Sequence, residues 1–294
     1  MMHSFLFEQY GYYPNLVKDT FFIDGWEFRL IEIEDDEENI NRIESYVTSL
    51  REKFGGKGAH VVKTRYGDKI SFYDNKKFVL ISVFKSDMEI IDLNKLHLIG
   101  SENDKSVDLK ELVNYWQFRM EKIEKDGIES LRFDDMWYSD NLEIVMFVLG
   151  LCQNAIQYLS EIIEFYGNEI NNVTITHKRL KNLNSFDFFN PFNLIIDHPL
   201  RDLVELYKNN YIDITDLSEI IEFYKFDDKL AAMFIARLLY PSSVFDLLEE
   251  NVELREKNFK INYSVEREIN KIKKAYLYFK QKYNIRPISW LDLN

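Results

Sequence analysis

Four side chains that follow one another closely in the chain have types that could serve phosphoryl transfer. His177 is followed by Arg179 and Asn184, and an apolar run then leads into Asp197. Phosphoryl transfer relies on positioning and on charge neutralisation by metal ions, and Mg²⁺ prefers oxygen ligands. Asn184 and Asp197 therefore form a candidate magnesium and nucleotide site. Each also has a structural alternative, because Asn184 suits a turn and Asp197 suits the cap of the helix that follows it.

The run H-K-R-L-x-x-x-N from His177 to Asn184 resembles the H-G-D-L-x-x-x-N motif of the aminoglycoside phosphotransferase superfamily. The resemblance implies that the aspartate of the motif is the catalytic base, that Asn184 and Asp197 would hold magnesium, and that His177 is a buried scaffold residue. Arg179 stands at the base position. An arginine keeps its proton at any relevant pH and has no acceptor atom, so it cannot take a proton from a substrate hydroxyl.

A second segment resembles a narrower group within that superfamily. The run D-H-P-L-R-D-L-V-E, residues 197–205, is similar to a segment of spore-coat kinase-like proteins of the coat protein S and YutH type, and R-L-L-Y-P at 237–241 resembles the same branch. The resemblance implies that Asp202 is structural and accepts backbone hydrogen bonds from the loop that carries His177. It also implies a role in the coat of an endospore.

A kinase-like small lobe also needs a lysine on its third strand to neutralise the phosphates, with an acidic partner on the neighbouring helix. No lysine occurs from Trp26 to Asp36. Ile31 falls at the lysine position, Arg29 is the nearby cation, and Glu44 is the candidate acid, which we interpret as a solvated helix residue. With the base and the lysine both missing, the sequence predicts poor ATP chemistry.

The order of elements resembles a protein-kinase-like fold. Alternating apolar runs, with turn signals at Asp24-Gly25 and Gly67-Asp68, predict antiparallel strands, and one amphipathic stripe predicts a helix ending at Gly55-Gly56. Strands are predicted over 17–23, 26–33, 60–66, 69–73 and 77–84, and later helices over 108–125, 141–166, 200–208, 216–224, 229–240 and 265–282. The predicted fold class is α+β and two-lobed, with a small antiparallel-sheet N-lobe containing one helix (residues 1–86) and a mostly helical C-lobe (residues 87–294).

Composition limits the partners and the compartment. A net charge of -13 opposes binding to phosphate backbones and to anionic lipid surfaces, so neither nucleic acid nor membrane is expected as a partner. The single cysteine, Cys152, indicates a reducing compartment. The apolar run 144–152 is shorter than the ~20 residues that cross a bilayer, and no targeting segment is visible, so a cytoplasmic location is expected.

The sequence thus predicts a degenerate kinase-like protein, a pseudokinase, that acts as a binding or structural module. The resemblance to spore-coat proteins implies that this module has a role in the spore coat. No cofactor is expected, and the partner is an unidentified small molecule or protein. The alternative is an active phosphotransferase that uses ATP and magnesium on an alcohol acceptor. In that case Asp187, three residues after Asn184, would supply the missing acid.

Overall fold

The computed structural model describes residues 2–14, 19–101 and 105–292. The chain divides into two compact units, each built from two separate stretches of sequence. Unit 1 consists of Met1–Ser101 and Thr174–Asp202, and unit 2 consists of Glu102–Val173 and Leu203–Asn294. The predicted division into lobes 1–86 and 87–294 stays a prediction.

The secondary structure is mixed, with most strands near the N-terminus and mostly helices after them. The strands are β1 (Thr20–Ile23), β2 (Trp26–Ile33), β3 (Ala59–Val62), β4 (Ser71–Tyr73), β5 (Lys76–Phe84), β6 (Val107–Asp108), β7 (Glu169–Ile170), β8 (Thr174–His177) and β9 (Leu194–Asp197). The helices are α1 (Met2–Tyr10), α2 (Glu37–Lys53), α3 (Ile90–Ile99), α4 (Leu109–Lys122), α5 (Ile128–Ser130), α6 (Tyr138–Tyr166), α7 (Ser185–Phe189), α8 (Leu200–Lys208), α9 (Ile214–Phe223), α10 (Asp228–Leu239), α11 (Ser242–Leu254), α12 (Val265–Lys282) and α13 (Ser289–Asp292).

Unit 1 is built on an antiparallel sheet in the order β1-β2-β5-β3, with β4 also paired to β5. Strand β2 pairs with β5 from Trp26, opposite Phe84, to Ile33, opposite Lys77. Because successive side chains of a strand point to opposite faces, Phe28 of β2 lies on one face and Arg29 on the other. The first face is covered by α1, which places Arg29 on the face away from that helix.

The core between α1 and the sheet is largely aromatic. Its buried members are Phe5, Leu6, Tyr10, Phe21, Phe28, Leu30, Phe78 and Leu80. The rings of Phe21 and Phe28 stack in parallel with centroids 4.8 Å apart, and the Tyr10 hydroxyl donates to Ser71 Oγ at 2.9 Å. The sequence did not indicate α1, because nine residues with no acidic side chain in the first turn and no basic one in the last carry too few helix signals.

Helix α3 packs against β8, also within unit 1, and Gly100, the C-cap residue that follows α3, makes a very close approach. A Cβ atom added to Gly100 would lie 2.5 Å from Ile175 Cγ1 and 2.7 Å from the Ile175 backbone nitrogen. Contacts this short require the backbone to move, so only glycine fits here. The end of α3 therefore controls the position of the strand that ends at His177.

Unit 2 is mostly helical, and its longest helix, α6, packs against α4 and α10. Lys229 of α10 donates from Nζ to the backbone oxygens of Tyr166, Gly167 and Glu169 at 3.1, 3.0 and 2.7 Å. The carbonyls at a helix C-terminus have no intrahelical partners, so this lysine satisfies them and complements the negative end of the helix dipole.

An ion-pair network around a buried arginine joins α4 to α11. The Arg119 guanidinium donates to Glu249 at 2.6 Å and to Asp246 at 2.9 Å, and its side chain is 5% exposed. The neighbouring rings of Trp116 and Tyr240 stack with centroids 4.4 Å apart. The bidentate contact with Glu249 and the surrounding aromatic rings compensate for the desolvation of the guanidinium.

Several predicted boundaries need correction. Helix α9 begins at Ile214, two residues before the predicted start at 216, and its capping box joins Asp213 to Asp216, whereas Asp216 and Glu219 offer a second acidic pair at the predicted start. Both pairs have the same spacing, and the tertiary structure selects the earlier one. Helix α11 was not predicted, because a proline such as Pro241 indicates the end or a kink of the preceding helix, whereas a new helix starts at the next residue. Of the predicted strand 17–23, residues 17 and 18 lie outside the described part of the chain.

Two stretches are long and apolar enough, by length and composition, to cross a membrane: Tyr138–Tyr166 and Asp228–Leu254. Buried core helices have the same composition, so this is weak evidence for a membrane span. Of the most apolar window in the second stretch, 78% is buried inside the protein, and the stretch is interrupted at Pro241 between α10 and α11. Core packing accounts for its apolar character.

Candidate functional site

The segment 177–202, called the catalytic-like segment below, carries the predicted site residues. A buried cluster of two histidines and one aspartate lies at its start. His177 ends β8, and Asp202 lies in the first turn of α8. The Asp202 carboxylate accepts the His177 backbone N–H at 2.9 Å, and its second oxygen lies 2.8 Å from His177 Nδ1 and 3.1 Å from His97 Nε2. The backbone donor expected for Asp202 is thus the N–H of His177. His97, on α3, was not predicted, because 105 residues separate it from Asp202.

The surroundings of His177 favour its charged form. Its Nδ1 faces the Asp202 carboxylate, and its Nε2 lies 2.9 Å from the backbone oxygen of Phe188. Only a doubly protonated imidazole can donate to both acceptors. Burial lowers the pKa of His177, but the charge and hydrogen bond of Asp202 outweigh it, and the pKa is raised. Burial likewise opposes ionisation of Asp202, but His177 and His97 together hold its pKa well below the usual range.

Arg29 and Asp187 form an ion pair within unit 1. Arg29 Nη1 lies 3.3 Å from Asp187 Oδ1, and Arg29 Nε donates to Glu27 at 2.7 Å. The guanidinium also lies 4.0 Å above the ring of Phe186. Arg29, the cation that the sequence analysis placed near the missing lysine, is therefore held between two carboxylates and over an aromatic ring. The 158 residues between Arg29 and Asp187 explain why no local pattern predicted their contact.

Asp187, the candidate substitute acid, is surrounded by donors. Its second oxygen accepts from Asn182 Nδ2 at 2.7 Å and from Asn184 Nδ2 at 3.1 Å. Asn184 is the N-cap of α7, and its own Oδ1 accepts the Asp187 backbone N–H at 2.8 Å. The structure therefore brings Asn184 and Asp187 into direct contact. The alternative for Asn184 was a turn residue, and the structure places it as a helix cap. Its side-chain oxygen, which was predicted to bind magnesium, already accepts a hydrogen bond.

Asp197, the second predicted metal ligand, is buried at the end of β9 and paired with a cation. Its Oδ2 accepts from Arg201 Nη1 at 2.9 Å, and its Oδ1 accepts the His198 backbone N–H at 2.6 Å. The first N–H of α8, from Leu200, donates to His198 Nδ1 at 3.1 Å. Arg201 was not predicted to belong to the site, although its position four residues after Asp197 at a helix start was an available signal.

Arg179, at the position of the lost base, lies beside the same arginine. Arg179 Nη1 donates to the backbone oxygen of Lys178 at 2.9 Å, and Arg201 Nη2 donates to that oxygen at 3.0 Å. Two guanidinium groups therefore converge on one carbonyl next to the Asp197 carboxylate. Positive charge from the protein lies where the family resemblance implies a metal ion.

Leu183 and Ser185 are joined by hydrogen bonds to the chain that follows β5. Ser185 Oγ donates to Phe84 O at 2.8 Å and accepts the Ser86 N–H at 3.0 Å, while the Ser185 N–H donates to Ser86 O at 2.9 Å. The Met88 N–H donates to Leu183 O at 2.7 Å. The backbone groups of Phe84, Ser86 and Met88, at and just after the end of β5, are therefore hydrogen-bonded to the catalytic-like segment.

The two remaining positions from the small-lobe analysis are Ile31 and Glu44. Ile31 is partly buried on the same face of β2 as Arg29, as strand alternation requires. Glu44, expected to be a solvated residue of α2, is instead ion-paired with Lys69. In residues 2–14, 19–101 and 105–292, no group of three or more His, Cys, Asp or Glu side chains is arranged to hold a metal ion.

Comparison with solved structures identifies the class of fold. Spectinomycin phosphotransferase APH(9)-Ia, solved with ADP and spectinomycin, is similar at a TM-score of 0.50 and 10% identity, over 95% of this chain and 93% of that one. An aminoglycoside phosphotransferase from Alicyclobacillus acidocaldarius subsp. acidocaldarius DSM 446 is similar at a TM-score of 0.47 and 10% identity, over 92% of this chain and 90% of that one. Amicoumacin kinase hAmiN, in complex with AMP-PNP, Ca²⁺ and Ami, is similar at a TM-score of 0.37 and 10% identity, over 90% of this chain and 84% of that one. The similarity to spectinomycin phosphotransferase confirms the predicted fold class, the kinase-like fold of aminoglycoside phosphotransferases.

The sequence identifies a narrower group within this class. Residues 4–281 match the family described as "Spore coat putative kinase YutH", and the chain belongs to that family. The match confirms the resemblance found at residues 197–205 and 237–241. Among curated proteins, none matches the chain.

Proposed function

We propose that this protein is a pseudokinase, a binding or structural module with a kinase-like fold that lacks efficient phosphotransfer and associates with the spore coat. The observation that carries the proposal is that protein groups already hold the atoms that phosphoryl transfer would need. Asp187 is held by Arg29 and two asparagines, and Asp197 is held by Arg201. To take part in catalysis, each carboxylate would first have to lose an ionic partner.

Arg179 supports the same proposal. Catalysis of proton transfer needs a group that can accept a proton, and the guanidinium cannot. Asp187 could accept one only by giving up hydrogen bonds to Asn182 and Asn184 and its pairing with Arg29. Positioning and electrostatic stabilisation supply most of the rate enhancement in phosphoryl transfer. Loss of both the base and the phosphate-binding lysine therefore removes most of that enhancement.

The residues present do not fit a magnesium ion. Mg²⁺ needs oxygen ligands in octahedral geometry, and neighbouring positive charge opposes its binding. The Asn184 oxygen accepts the Asp187 N–H, and the Asp197 carboxylate has the Arg201 guanidinium 2.9 Å away. We therefore propose that the protein acts without a cofactor, on a small molecule or protein partner, in the cytoplasm and at the spore coat.

One observation favours the alternative, an active small-molecule phosphotransferase with an alcohol acceptor. Asp187 lies 3.1 Å from the Asn184 side chain, so a possible acid and a possible metal ligand are neighbours. In that function, the phosphates of bound ATP would draw the Arg29 guanidinium away from Asp187.

Thermal unfolding with magnesium-ATP tests the two functions. We expect magnesium-ATP to leave the melting temperature of the purified protein unchanged, whereas a ligand at about 100 times its dissociation constant would add ~2.7 kcal/mol of stability. Asp197→Ala removes the candidate ligand, and Asp68→Ala is the control at an exposed site in the same unit. A clear shift in the parent and in Asp68→Ala that disappears in Asp197→Ala would favour the active enzyme and overturn the pseudokinase.

A further inference from the structure

A cavity of about 600 Å³ lies within unit 2, between the segment that joins α8 to α9 and the N-terminal half of α12. Small-molecule sites in proteins commonly have volumes of ~300–1,000 Å³. None of the residues that line this cavity belongs to the segment 177–202, so the proposed function gives it no role.

One wall of the cavity is cationic. Arg267, Lys271 and Lys274 line it from successive turns of α12, and their spacing of four and three residues places them on one face of the helix. Lys271 is partly buried and donates from Nζ to the backbone oxygen of Lys208, which fixes its ammonium group. Burial lowers the pKa of Lys271, as expected for an amine partly removed from water.

The segment 207–215 lines the cavity with mixed side chains: Ile214 is a partly exposed apolar residue, Ile212 and Tyr207 are almost fully buried, and Asn210, Asp213 and Thr215 are polar. The Tyr207 hydroxyl donates to the Lys271 backbone oxygen at 3.2 Å. Burial raises the pKa of Tyr207 to about 12, so the phenol is neutral at physiological pH and adds no negative charge. A ligand here would meet cations from α12 and the apolar side chain of Ile214 from the segment 207–215.

Two carboxylates also line the cavity, and one of them is engaged locally. Asp213 caps α9 and accepts from the N–H groups of Thr215 and Asp216 at 2.6 and 3.2 Å. Glu266 is exposed in the first turn of α12. Three cations and two carboxylates therefore line the cavity, a positive local balance on a chain whose net charge is -13.

We propose that this cavity binds a small organic anion. Its phosphate or carboxylate group would lie against Arg267, Lys271 and Lys274, and an apolar portion would pack on Ile214. The charge on the α12 wall selects an anion, and the apolar side chain of Ile214 favours an anion attached to a hydrophobic group over a bare ion. This inference is independent of whether the segment 177–202 transfers phosphate.

The test uses four probes, namely phenyl phosphate, benzoate, phenol and inorganic phosphate, titrated into the full chain and followed by calorimetry. We expect phenyl phosphate or benzoate to bind more tightly than both phenol and inorganic phosphate, and their comparison identifies the preferred anionic group. The double variant Arg267→Gln/Lys274→Gln changes only exposed side chains, so folding should be preserved. It should weaken binding about tenfold or more, which is ~1.4 kcal/mol.

Lys273→Gln is the matched control, because Lys273 lies on the same helix but does not line the cavity. It should bind the preferred probe as the parent does. Three outcomes would overturn the proposal: no binding of either organic anion, equal binding of phenol or inorganic phosphate, or equal loss of affinity in Lys273→Gln and in the double variant.

Discussion

At the scale of single residues, Asp202 is the acceptor on which the start of the catalytic-like segment depends. It is fully buried, and its carboxylate is hydrogen-bonded to the backbone N–H and the imidazole of His177 and to the imidazole of His97. We expect Asp202→Ala to lower the free energy of unfolding by about 3–5 kcal/mol, because it leaves buried donors and a buried positive charge without a partner. Urea unfolding measures this loss.

Asp68→Ala is the control for that measurement, since Asp68 is an exposed aspartate in the same unit. An exposed substitution of this kind should change stability by no more than about 0.5 kcal/mol. If Asp202→Ala unfolds at the same urea concentration as Asp68→Ala, the carboxylate does not support the segment in the way described.

The His177–Asp202 pair also predicts a pH dependence with two opposite signs. The lowered pKa of Asp202 means that its contribution to stability is present above the unfolded value of ~3.9 and is lost as the pH falls through the folded pKa. The raised pKa of His177 means that its contribution is complete below ~6.5 and is lost as the pH rises through the folded pKa. We expect the urea midpoint to fall above about pH 6.5, and to fall less in His177→Gln.

His60 provides the comparison for this pH series. Burial and the nearby Arg51 lower the pKa of His60, so its contribution is lost as the pH falls, the opposite direction to His177. His60→Gln should therefore leave the alkaline decline intact. A midpoint that stays level from about pH 6.5 to 9 in the parent would mean that His177 is not held as an imidazolium.

At the scale of elements, the contact between α3 and β8 predicts contrasting effects of adding one methyl group. Gly100→Ala would force a Cβ to within 2.7 Å of the Ile175 backbone nitrogen, and we expect a loss of about 1–3 kcal/mol. Gly150→Ala, inside α6, meets nothing within 4 Å and should gain about 0.5–1 kcal/mol, because alanine favours helix. Chemical unfolding of both variants provides the measurement, and stabilisation by Gly100→Ala would contradict the close approach.

Elements with strong periodicity could be predicted from the sequence, and those shaped by tertiary contacts could not. Strand β2 and helix α12 occupy the predicted ranges because alternation and amphipathic spacing are local properties of the chain. Helix α3 carries apolar residues on most of its faces, so its period is ambiguous. In the site, Asn184 and Asp197 stay predictions that rest on local spacing. The contact of Arg29 with Asp187 spans 158 residues, and only the folded chain reveals it.

At the scale of the whole molecule, the charge of -13 predicts a lack of general affinity for polyanions. We expect no binding to a labelled DNA duplex and no cosedimentation with vesicles that contain phosphatidylserine at ~0.15 M salt, where the long-range field is screened but still repulsive. Fluorescence anisotropy and sedimentation are the measurements. Binding of either partner that persists at this salt concentration would show that a local surface overcomes the net charge.

The discontinuity of unit 1 has a consequence for synthesis on the ribosome. Its first stretch ends at Ser101, but the stretch that contains β8, β9 and Asp202 begins only at Thr174. At about 5–20 residues per second, the roughly 100 residues from Ser101 to Asp202 take about 5–20 s to translate. During that interval His97 lacks Asp202 and the Ser86 amide lacks Ser185, so the nascent sheet must persist with these polar groups in water or bound by a chaperone.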